Sequence, residues 1–199
     1  MKVKVTPSKV HGNVKIPASK SMAHRALICA SLSDGTSLVS NVTNSKDIEA
    51  TVGCMKALGA IIKQIDETTY EVTGTNLFKQ EGNITCNANE SGSTLRFLIP
   101  LAACTNAKVK FLGQGRLLQR PMDVYANEFK KQNIEFNQSD KEIIVSGNLQ
   151  AKDYVVQGDI SSQFITGFMF VLPLLDQDST LTITEPYESK SYVNLTIQM

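Results

Sequence analysis

The sequence of 199 residues predicts an α+β fold in which one β-α-β-α-β-β unit is used three times. The main observation is a short segment of small polar residues that recurs at a regular interval, each time before an apolar run. These segments contain Lys20, Ser91 and Ser161, and the two intervals between them are nearly equal. A second observation agrees, since Gly74 and Gly147 follow similar strand patterns and are separated by almost the same interval. Self-similarity at a fixed period is the sequence signature of a repeat architecture.

The first unit covers about residues 13–74, and its second helix is predicted from its capping signals. Ser45 is a favoured N-cap residue, and the carboxylates of Asp47 and Glu49 suit the positive end of the helix dipole. Gly59 is a typical residue just after a helix end. The predicted elements, in order, are a strand at 14–16, a helix from 26 to about 32, a strand at 36–42, the capped helix, and a hairpin of strands 61–65 and 70–73.

The second and third units repeat this order over about 83–147 and 153–199. The third unit lacks the closing hairpin, so we expect the sequence to stop partway through it. Pro121 is predicted to begin the second helix of unit two, since proline is accepted at the first helical position. The predicted elements, in order, are a strand at 84–86, a helix at 93–104, a strand at 109–112, a helix from 121, a hairpin of 134–137 and 142–145, a strand at 154–156, a helix from 162, a strand at 180–184, and a helix from about 192.

Composition and charge exclude several classes of protein. A net charge of +1 gives no support for a nucleic-acid or membrane-surface protein, so any functional positive charge must be local. The longest apolar run, 164–175, is too short to span a bilayer. Cys29, Cys54, Cys86 and Cys104 have no metal-ligand spacing, which predicts free thiols in a reducing cytoplasm. We therefore expect a cytoplasmic protein without a metal or cofactor.

The segment 17–25 is predicted to bind an anion. The first backbone N–H groups of a helix have no partner within the helix, and the helix dipole adds partial positive charge there. Lys20 and Arg25 add two full charges at this point. Segments 89–96 and 158–163 have the same design, so three helix starts are expected to face one anion, of which phosphate is the simplest.

Five motifs, in order and at matching spacing over essentially the whole chain, resemble the 5-enolpyruvylshikimate-3-phosphate (EPSP) synthase family. They are Ser19-Lys20-Ser21 with Arg25, Ser91-Gly92-Ser93 with Arg96, Arg120-Pro121, Ser161-Ser162-Gln163, and Ser189-Lys190-Ser191-Tyr192. The resemblance implies an inside-out α/β barrel of two similar domains with the active site between them. Residues 13–199 resemble the N-terminal-half domain. Residues 1–12, with an alternating strand at 2–6, are expected to belong to the C-terminal-half domain, which the sequence does not contain.

The resemblance also implies an activity. The family transfers the enolpyruvyl group of phosphoenolpyruvate to the 5-hydroxyl of shikimate 3-phosphate, a step of aromatic amino acid biosynthesis that glyphosate inhibits. No cofactor is implied, and the full-length protein is expected to be a monomer. The chain by itself is expected to hold the shikimate-3-phosphate half-site and to be inactive, because the family's acidic proton-transfer residues lie in the other half.

The resemblance implies roles for ten residues. The implied ligands of shikimate 3-phosphate are Lys20, Ser21, Arg25, Ser161, Ser162, Gln163, Ser189 and Tyr192. The implied ligands of phosphoenolpyruvate are Lys20, Gly92, Arg120 and Gln163. Lys20 is in addition the implied catalytic proton donor. The chain departs from the common Asn-Ala-Gly pattern at Glu90-Ser91-Gly92, so the resemblance assigns Glu90 no role.

Two other functions fit parts of the pattern. A UDP-N-acetylglucosamine enolpyruvyl transferase has the same fold and donor, although loop 113–120 lacks the cysteine of that family. A non-catalytic module that holds a phosphorylated metabolite is the other alternative. Several polar residues are expected to have no ligand: Arg96 and Arg116 as structural residues, His11 in a loop, His24 on the surface, and Asp47 at a helix start with a supporting role.

Overall fold

The computed structural model describes residues 2–199 and contains three separate sheets, one for each predicted unit. The helices are α1 Lys20–Leu32, α2 Lys46–Ala57, α3 Gly92–Ala102, α4 Asp123–Lys131, α5 Ser162–Val171 and α6 Lys190–Ile197. The strands are β1 Thr36–Val39, β2 Ile61–Gln64, β3 Tyr70–Thr73, β4 Glu81–Asn87, β5 Asn106–Leu112, β6 Glu135–Gln138, β7 Ile143–Ser146, β8 Asp153–Gln157 and β9 Thr180–Thr184. Short 3₁₀ turns lie at 77–79, 117–119 and 172–174.

The sheets confirm the predicted repeat. In unit two, β4 pairs in parallel with β5, and β7 pairs antiparallel with both β5 and β6. Unit three repeats the parallel pair as β8 and β9, and unit one repeats the antiparallel part as β1, β3 and β2. The β-α-β-α-β-β order is therefore complete in unit two, and the other units contain parts of it.

Helices α3 and α5 lie inside the molecule, whereas α2, α4 and α6 are less than half buried. In α3, nine of the eleven residues are buried, and α5 is similarly enclosed with seven of ten. A helix that is apolar on all sides belongs in a core. The two helices approach so closely that a Cβ on Gly167 would lie 2.7 Å from the carbonyl oxygen of Arg96. The four cysteines are free, and three of them are buried.

The predicted strand at 14–16 is wrong, and the strand at 2–6, which is expected to pair with the other half-domain, stays a prediction. Segments 2–6 and 14–16 form no strand, and residues 2–19 are neither helical nor extended in any sheet. Val14 and Ile16 are 86% and 83% exposed. An alternating pattern becomes a strand only when a neighbour supplies hydrogen bonds, and within residues 2–199 none pairs with either segment. Met1, the first residue of the predicted range 1–12, lies outside the described residues.

Two helix starts also differ from prediction. Helix α1 begins at Lys20 rather than at 26, because the Ser19 hydroxyl accepts a hydrogen bond from the backbone N–H of Met22 and caps the helix there. Helix α4 begins at Asp123, so Pro121 lies before the helix and is not its first residue. Most of the other predicted boundaries agree within three residues, and the strand at 180–184 agrees at both ends.

Candidate anion-binding site

The same cap begins the first helix of every unit. The hydroxyls of Ser19, Ser91 and Ser161 accept hydrogen bonds from backbone N–H groups of the first turns of α1, α3 and α5, at 3.2 to 3.3 Å. These caps satisfy one N–H of each helix and leave the neighbouring N–H groups of the first turn unpaired within the helix. The threefold design that the sequence predicts is therefore present.

One cavity of about 430 Å³ collects most of the predicted site residues. Eight of the ten line it, and Lys20 and Gly92 do not. The lining residues are Ser21, Arg25, Ser93, Arg96, Phe97, Arg120, Ser161, Ser162, Gln163, Ser189 and Tyr192. They come from all three units, so the cavity exists only when the repeats are folded together.

Arg25 lies at the base of this cavity and is almost completely buried. Its Nε donates to the hydroxyl of Thr196 (2.8 Å), and its Nη1 donates to the carbonyl of Ser21 (2.8 Å). Its Nη2 donates to the hydroxyl of Thr166 (3.2 Å) and to the carbonyl of Tyr192 (3.0 Å). A guanidinium has five N–H donors, so one N–H of Nη1 remains for a ligand. Arg25 thus joins α1 to α5 and α6 while it presents its charge to the cavity.

Hydrogen bonds from Arg96 and to Ser93, both in the cavity lining, orient the side chain of Gln163. Arg96 Nη1 donates to the Gln163 side-chain carbonyl at 2.8 Å, and Gln163 Nε2 donates to the Ser93 hydroxyl at 2.9 Å. The Nε of Arg96 is buried and has no hydrogen-bond partner among the described residues. Arg96 follows Arg25 at the same interval at which Ser91 follows Lys20. That spacing is the signal that would have placed Arg96 in the site, where the sequence analysis expected only a structural residue.

Ser93 and Phe97 are the other two lining residues to which the sequence analysis gave no role, and Phe97 contacts Arg25. Its ring lies under the guanidinium of Arg25, with 5.2 Å from Cζ to the ring centroid. This distance permits a cation–π interaction. An aromatic residue inside an apolar helix gives no signal of this role in the sequence.

The cavity holds positive charge that no carboxylate neutralises. Throughout residues 2–199, every ion pair within 4 Å uses a lysine, and Arg25, Arg96 and Arg120 have none. Burial lowers the pKa of Arg25, and burial together with the charge of Arg120 lowers the pKa of Arg96. Three guanidinium groups around one cavity, with no carboxylate within 4 Å among residues 2–199, are the arrangement expected of a site for an external anion.

Gly92 keeps Arg120 in its position. A Cβ built on Gly92 would overlap Nη1 of Arg120, so any side chain there would displace the guanidinium. Gly92 therefore lets the guanidinium of Arg120 lie close to the backbone of α3, although it does not itself line the cavity.

The comparison with known families decides the classification. The sequence model of EPSP synthase (3-phosphoshikimate 1-carboxyvinyltransferase) matches residues 5–199. The chain belongs to the EPSP synthase family. A protein of Clostridium kluyveri named 3-phosphoshikimate 1-carboxyvinyltransferase is 48% identical over 199 residues, which are 99% of this chain and 46% of that relative. A protein of the same name from Clostridioides difficile is 46% identical over 98% of this chain and 47% of its own length.

Solved structures agree on the fold. The EPSP synthase of Acinetobacter baumannii matches 94% of this chain and 42% of its own chain, with a TM-score of 0.76 and 18% sequence identity. At this identity the likeness concerns the fold alone. The chain spans about half the length of the curated relatives that it matches.

Lys20 lies outside the cavity lining and is held by an ion pair. Its Nζ lies 2.7 Å from Oδ2 of Asp47, at the start of α2, and the two side chains are 54% and 35% exposed. This ion pair with Lys20 is consistent with the supporting role that the sequence predicts for Asp47.

Ser189, which precedes α6, has a φ of 54° and so adopts the left-handed conformation that is uncommon for serine.

The prediction that His24 is a surface residue is wrong. His24 is 3% exposed, and its Nδ1 lies 2.7 Å from the hydroxyl oxygen of Thr51. Burial lowers the pKa of His24 to about 4, so the imidazole is neutral near pH 7. Because α1 begins well before its predicted start, His24 lies in its second turn and faces α2 instead of solvent.

The described residues offer neither a metal cluster nor a membrane-spanning helix. Within residues 2–199, no three His, Cys, Asp or Glu side chains are grouped so that they could hold a metal ion. In the same range, every helix is too short or too polar to cross a bilayer.

Proposed function

We propose that this chain is the N-terminal part of a 3-phosphoshikimate 1-carboxyvinyltransferase, with shikimate 3-phosphate and phosphoenolpyruvate as substrates and glyphosate as an inhibitor. The observation that carries the proposal is the cavity of about 430 Å³ that three arginines line without a carboxylate partner among residues 2–199. Two phosphorylated anionic substrates require this kind of charge. The match of residues 5–199 to the family supports the identity of the reaction.

The proposed domain arrangement follows the repeat. Residues 13–199 form the N-terminal-half domain, in units of about 13–74, 83–147 and 153–199, and residues 1–12 join the second half-domain. The exposure of Val3, Val5 and Val10 supports a neighbour for residues 1–12 outside this chain. The full-length enzyme is a cytoplasmic monomer, and the isolated chain binds its substrate incompletely and has no turnover.

The proposed shikimate-3-phosphate subsite is the part of the cavity around Arg25. The free N–H of Arg25 and the hydroxyls of Ser161 and Ser162, near the start of α5, hold the phosphate. Charge-assisted hydrogen bonds and unpaired helix N–H groups both favour such a group. The remaining polar groups contact the rest of the substrate, namely those of Lys20, Ser21, Gln163, Ser189 and Tyr192.

The proposed phosphoenolpyruvate subsite adjoins it on the side of Arg120. Arg120, the backbone of Gly92, the amide of Gln163 and the ammonium of Lys20 hold this donor. In the first step, the 5-hydroxyl oxygen of shikimate 3-phosphate bonds to C2 of phosphoenolpyruvate and loses its proton to a base. Lys20 delivers a proton to C3, which gives a tetrahedral intermediate. The C2–O bond to phosphate then breaks, C3 loses a proton, and inorganic phosphate leaves.

Titration calorimetry of the whole chain with shikimate 3-phosphate tests the proposal. We expect saturable binding by the unchanged chain and affinity about tenfold weaker for Ser162→Ala, because a charge-assisted hydrogen bond to phosphate is lost. Ser33→Ala is the matched control, since Ser33 is an exposed serine at the opposite end of α1. We expect its affinity to equal that of the unchanged chain.

Competing ligands complete the test. UDP-N-acetylglucosamine is the acceptor of the sister enzyme and should not bind. Saturable binding of this nucleotide sugar with no binding of shikimate 3-phosphate would reject the proposed acceptor and favour the sister activity. Equal, weak binding of both would favour a general phosphate-binding module.

A further inference from the structure

A buried polar junction joins the N-terminal halves of α1, α2 and α3. Thr51 and Thr94 are fully buried, and their Oγ1 atoms lie 2.7 Å apart. Thr51 Oγ1 also lies 2.7 Å from Nδ1 of His24, on α1. Thr94 Oγ1 lies 2.7 Å from Oγ of Ser91, the cap of α3, and 3.3 Å from the backbone carbonyl oxygen of Asp47, on α2. We call these five residues the three-helix junction.

The junction is a connected network and not a set of separate contacts. The carbonyl oxygen of Asp47 can only accept, so the Thr94 hydroxyl can donate to it or to Ser91. The Thr51 hydroxyl and the neutral imidazole of His24 continue the chain of hydrogen bonds. A buried polar group that loses its partner has a desolvation cost without compensation, so each member resists displacement of the others.

The junction supports the two predicted site residues that lie outside the cavity lining. Lys20 is one helical turn before His24 on α1, and its ammonium pairs with Asp47. Gly92 directly follows Ser91, and its backbone abuts the guanidinium of Arg120. Both Lys20 and Gly92 belong to the proposed phosphoenolpyruvate subsite. The shikimate-3-phosphate subsite around Arg25 depends instead on α5 and α6.

We propose that Thr51 and Thr94 are positioning residues that hold Lys20 and Gly92 in place for phosphoenolpyruvate, without touching either substrate. The identity of the ligand in this inference rests on the proposed function. The position of Lys20 does not, because the contact with Asp47 is independent of any ligand.

The first experiment measures the position of Lys20 without a substrate. Lysines of the whole chain are labelled with trace acetic anhydride, and the rate at each site is read by mass spectrometry. Thr94→Val removes the hydroxyl that lies between Ser91 and the Asp47 carbonyl, so the start of α2 is held less firmly. The ion pair of Asp47 with Lys20 then loosens, and we expect Lys20 to react about two- to fivefold faster, the size of an exposed ion pair. Asp47→Asn, which removes the pair directly, is the positive control.

Matched variants separate positioning from general stability. Thr94→Ser keeps the hydroxyl and should restore the slow rate. Thr105→Val removes an equally buried hydroxyl that donates to the carbonyl of Ala102 at the other end of α3, and it should leave the Lys20 rate unchanged. Thr51→Val cuts the network one step earlier and should raise the rate as Thr94→Val does.

The result that would overturn the inference is an unchanged Lys20 rate in both valine variants. Failure of both to fold while Thr105→Val folds would also overturn it, because the junction would then be a general core element. A ligand arm uses phosphoenolpyruvate and shikimate 3-phosphate, and Thr94→Val should weaken the binding of the first more than that of the second, because Gly92 belongs only to the phosphoenolpyruvate subsite. If the unchanged chain binds neither, the proposed function fails, and the labelling rate still decides the role of the junction.

Discussion

At the scale of single residues, Arg96 and Arg120 have the arrangement expected of a site for an external anion, and this arrangement does not favour stability. Arg120 is exposed, contributes to lowering the pKa of Arg96, and has no carboxylate partner within residues 2–199. Like charges in proximity destabilise a folded protein unless a ligand lies between them. Function and stability therefore oppose each other at these two residues.

We expect Arg120→Met to weaken the binding of phosphoenolpyruvate without lowering thermal stability. The affinity should fall about tenfold, the size of one charge-assisted hydrogen bond. The melting temperature should stay equal or rise, because the repulsion on Arg96 is removed. Phosphorus NMR titration and calorimetric melting measure the two effects.

Arg116→Met is the control for this prediction, since Arg116 is an exposed arginine of the same loop outside the cavity. It should change neither quantity. A lower melting temperature for Arg120→Met, with unchanged affinity, would show that Arg120 is a structural residue.

His24 gives a prediction about pH. Its pKa is lowered from 6.5 to about 4 in the folded chain, so the unfolded chain binds one more proton between these values. The contribution of neutral His24 to the free energy of unfolding is complete above pH 6.5 and is lost as the pH falls towards 4. The difference corresponds to about 3 kcal/mol of unfolding free energy.

Urea unfolding at pH 7 and pH 4 measures this loss. His24→Gln removes the titrating group. Between pH 7 and pH 4, the free energy of unfolding of this variant should therefore fall less than that of the unchanged chain, by a difference of about 3 kcal/mol. Equal losses in the two proteins would contradict the buried, neutral state of His24.

The candidate site was predictable where residue type and spacing coincide. Four of the predicted residues belong to recognisable motifs of polar or charged side chains, and the structure brings them to one cavity. They are Arg25, Arg120, Ser161 and Ser162. Ser93 and Phe97 could not be found this way, because their position depends on how α3 lies against α1 and α5. The burial of His24 was missed because the start of α1 was placed too late.

At the scale of elements, the close packing of α3 against α5 depends on Gly167. A Cβ there would lie 3.1 Å from Cγ of Pro100 and within van der Waals overlap of the Tyr125 hydroxyl. Gly53, in α2, is exposed and has open space around the same position. The two glycines form a matched pair for one substitution.

We expect Gly167→Ala to lower the free energy of unfolding by about 1–3 kcal/mol through overpacking. Gly53→Ala should raise it by roughly 0.5–1 kcal/mol, because alanine loses less backbone entropy in a helix. Urea unfolding at pH 7 measures both. A gain of stability in Gly167→Ala would mean that α3 and α5 can move apart at little cost.

Helix α2 and the two hairpins were the elements that the sequence predicted well. Ser45 and the acidic first turn fix the start of α2, and Gly147, with a φ of 152°, follows the hairpin of β6 and β7. The segments 2–6 and 14–16 form no strand within residues 2–199, because alternation gives the faces of a strand but not its neighbour. Their pairing depends on residues far away in the chain or outside it.

At the scale of the whole molecule, Arg25 connects the first unit to the third. Its hydrogen bonds to Thr196 and to the Tyr192 carbonyl attach α6 to α1. The three units thus form a ring around the cavity. Helix α6, the last helix along the chain, closes this ring through its hydrogen bonds with Arg25. Because the units are connected in this ring, the segments that line the cavity keep fixed positions although they are far apart in the sequence.

We expect Arg25→Lys to loosen α6 selectively. A lysine has no planar fork and cannot reproduce the hydrogen bonds of the guanidinium. Hydrogen exchange of the backbone amides at 190–197 should become about tenfold faster, as loss of one charge-assisted hydrogen bond implies. The amides of α2 are the internal control and should be unchanged. Uniform acceleration in both helices would indicate global destabilisation instead of a local connection.

The unneutralised arginines also have a practical consequence for handling the protein. Any multivalent inorganic anion in a buffer will occupy the cavity as a counterion and raise the apparent melting temperature by mass action. Preparations in phosphate or sulfate should therefore look more robust than those in Tris chloride, and they should bind added metabolites less tightly. Dialysis into a chloride buffer before calorimetry will decide whether weak affinities are real or masked.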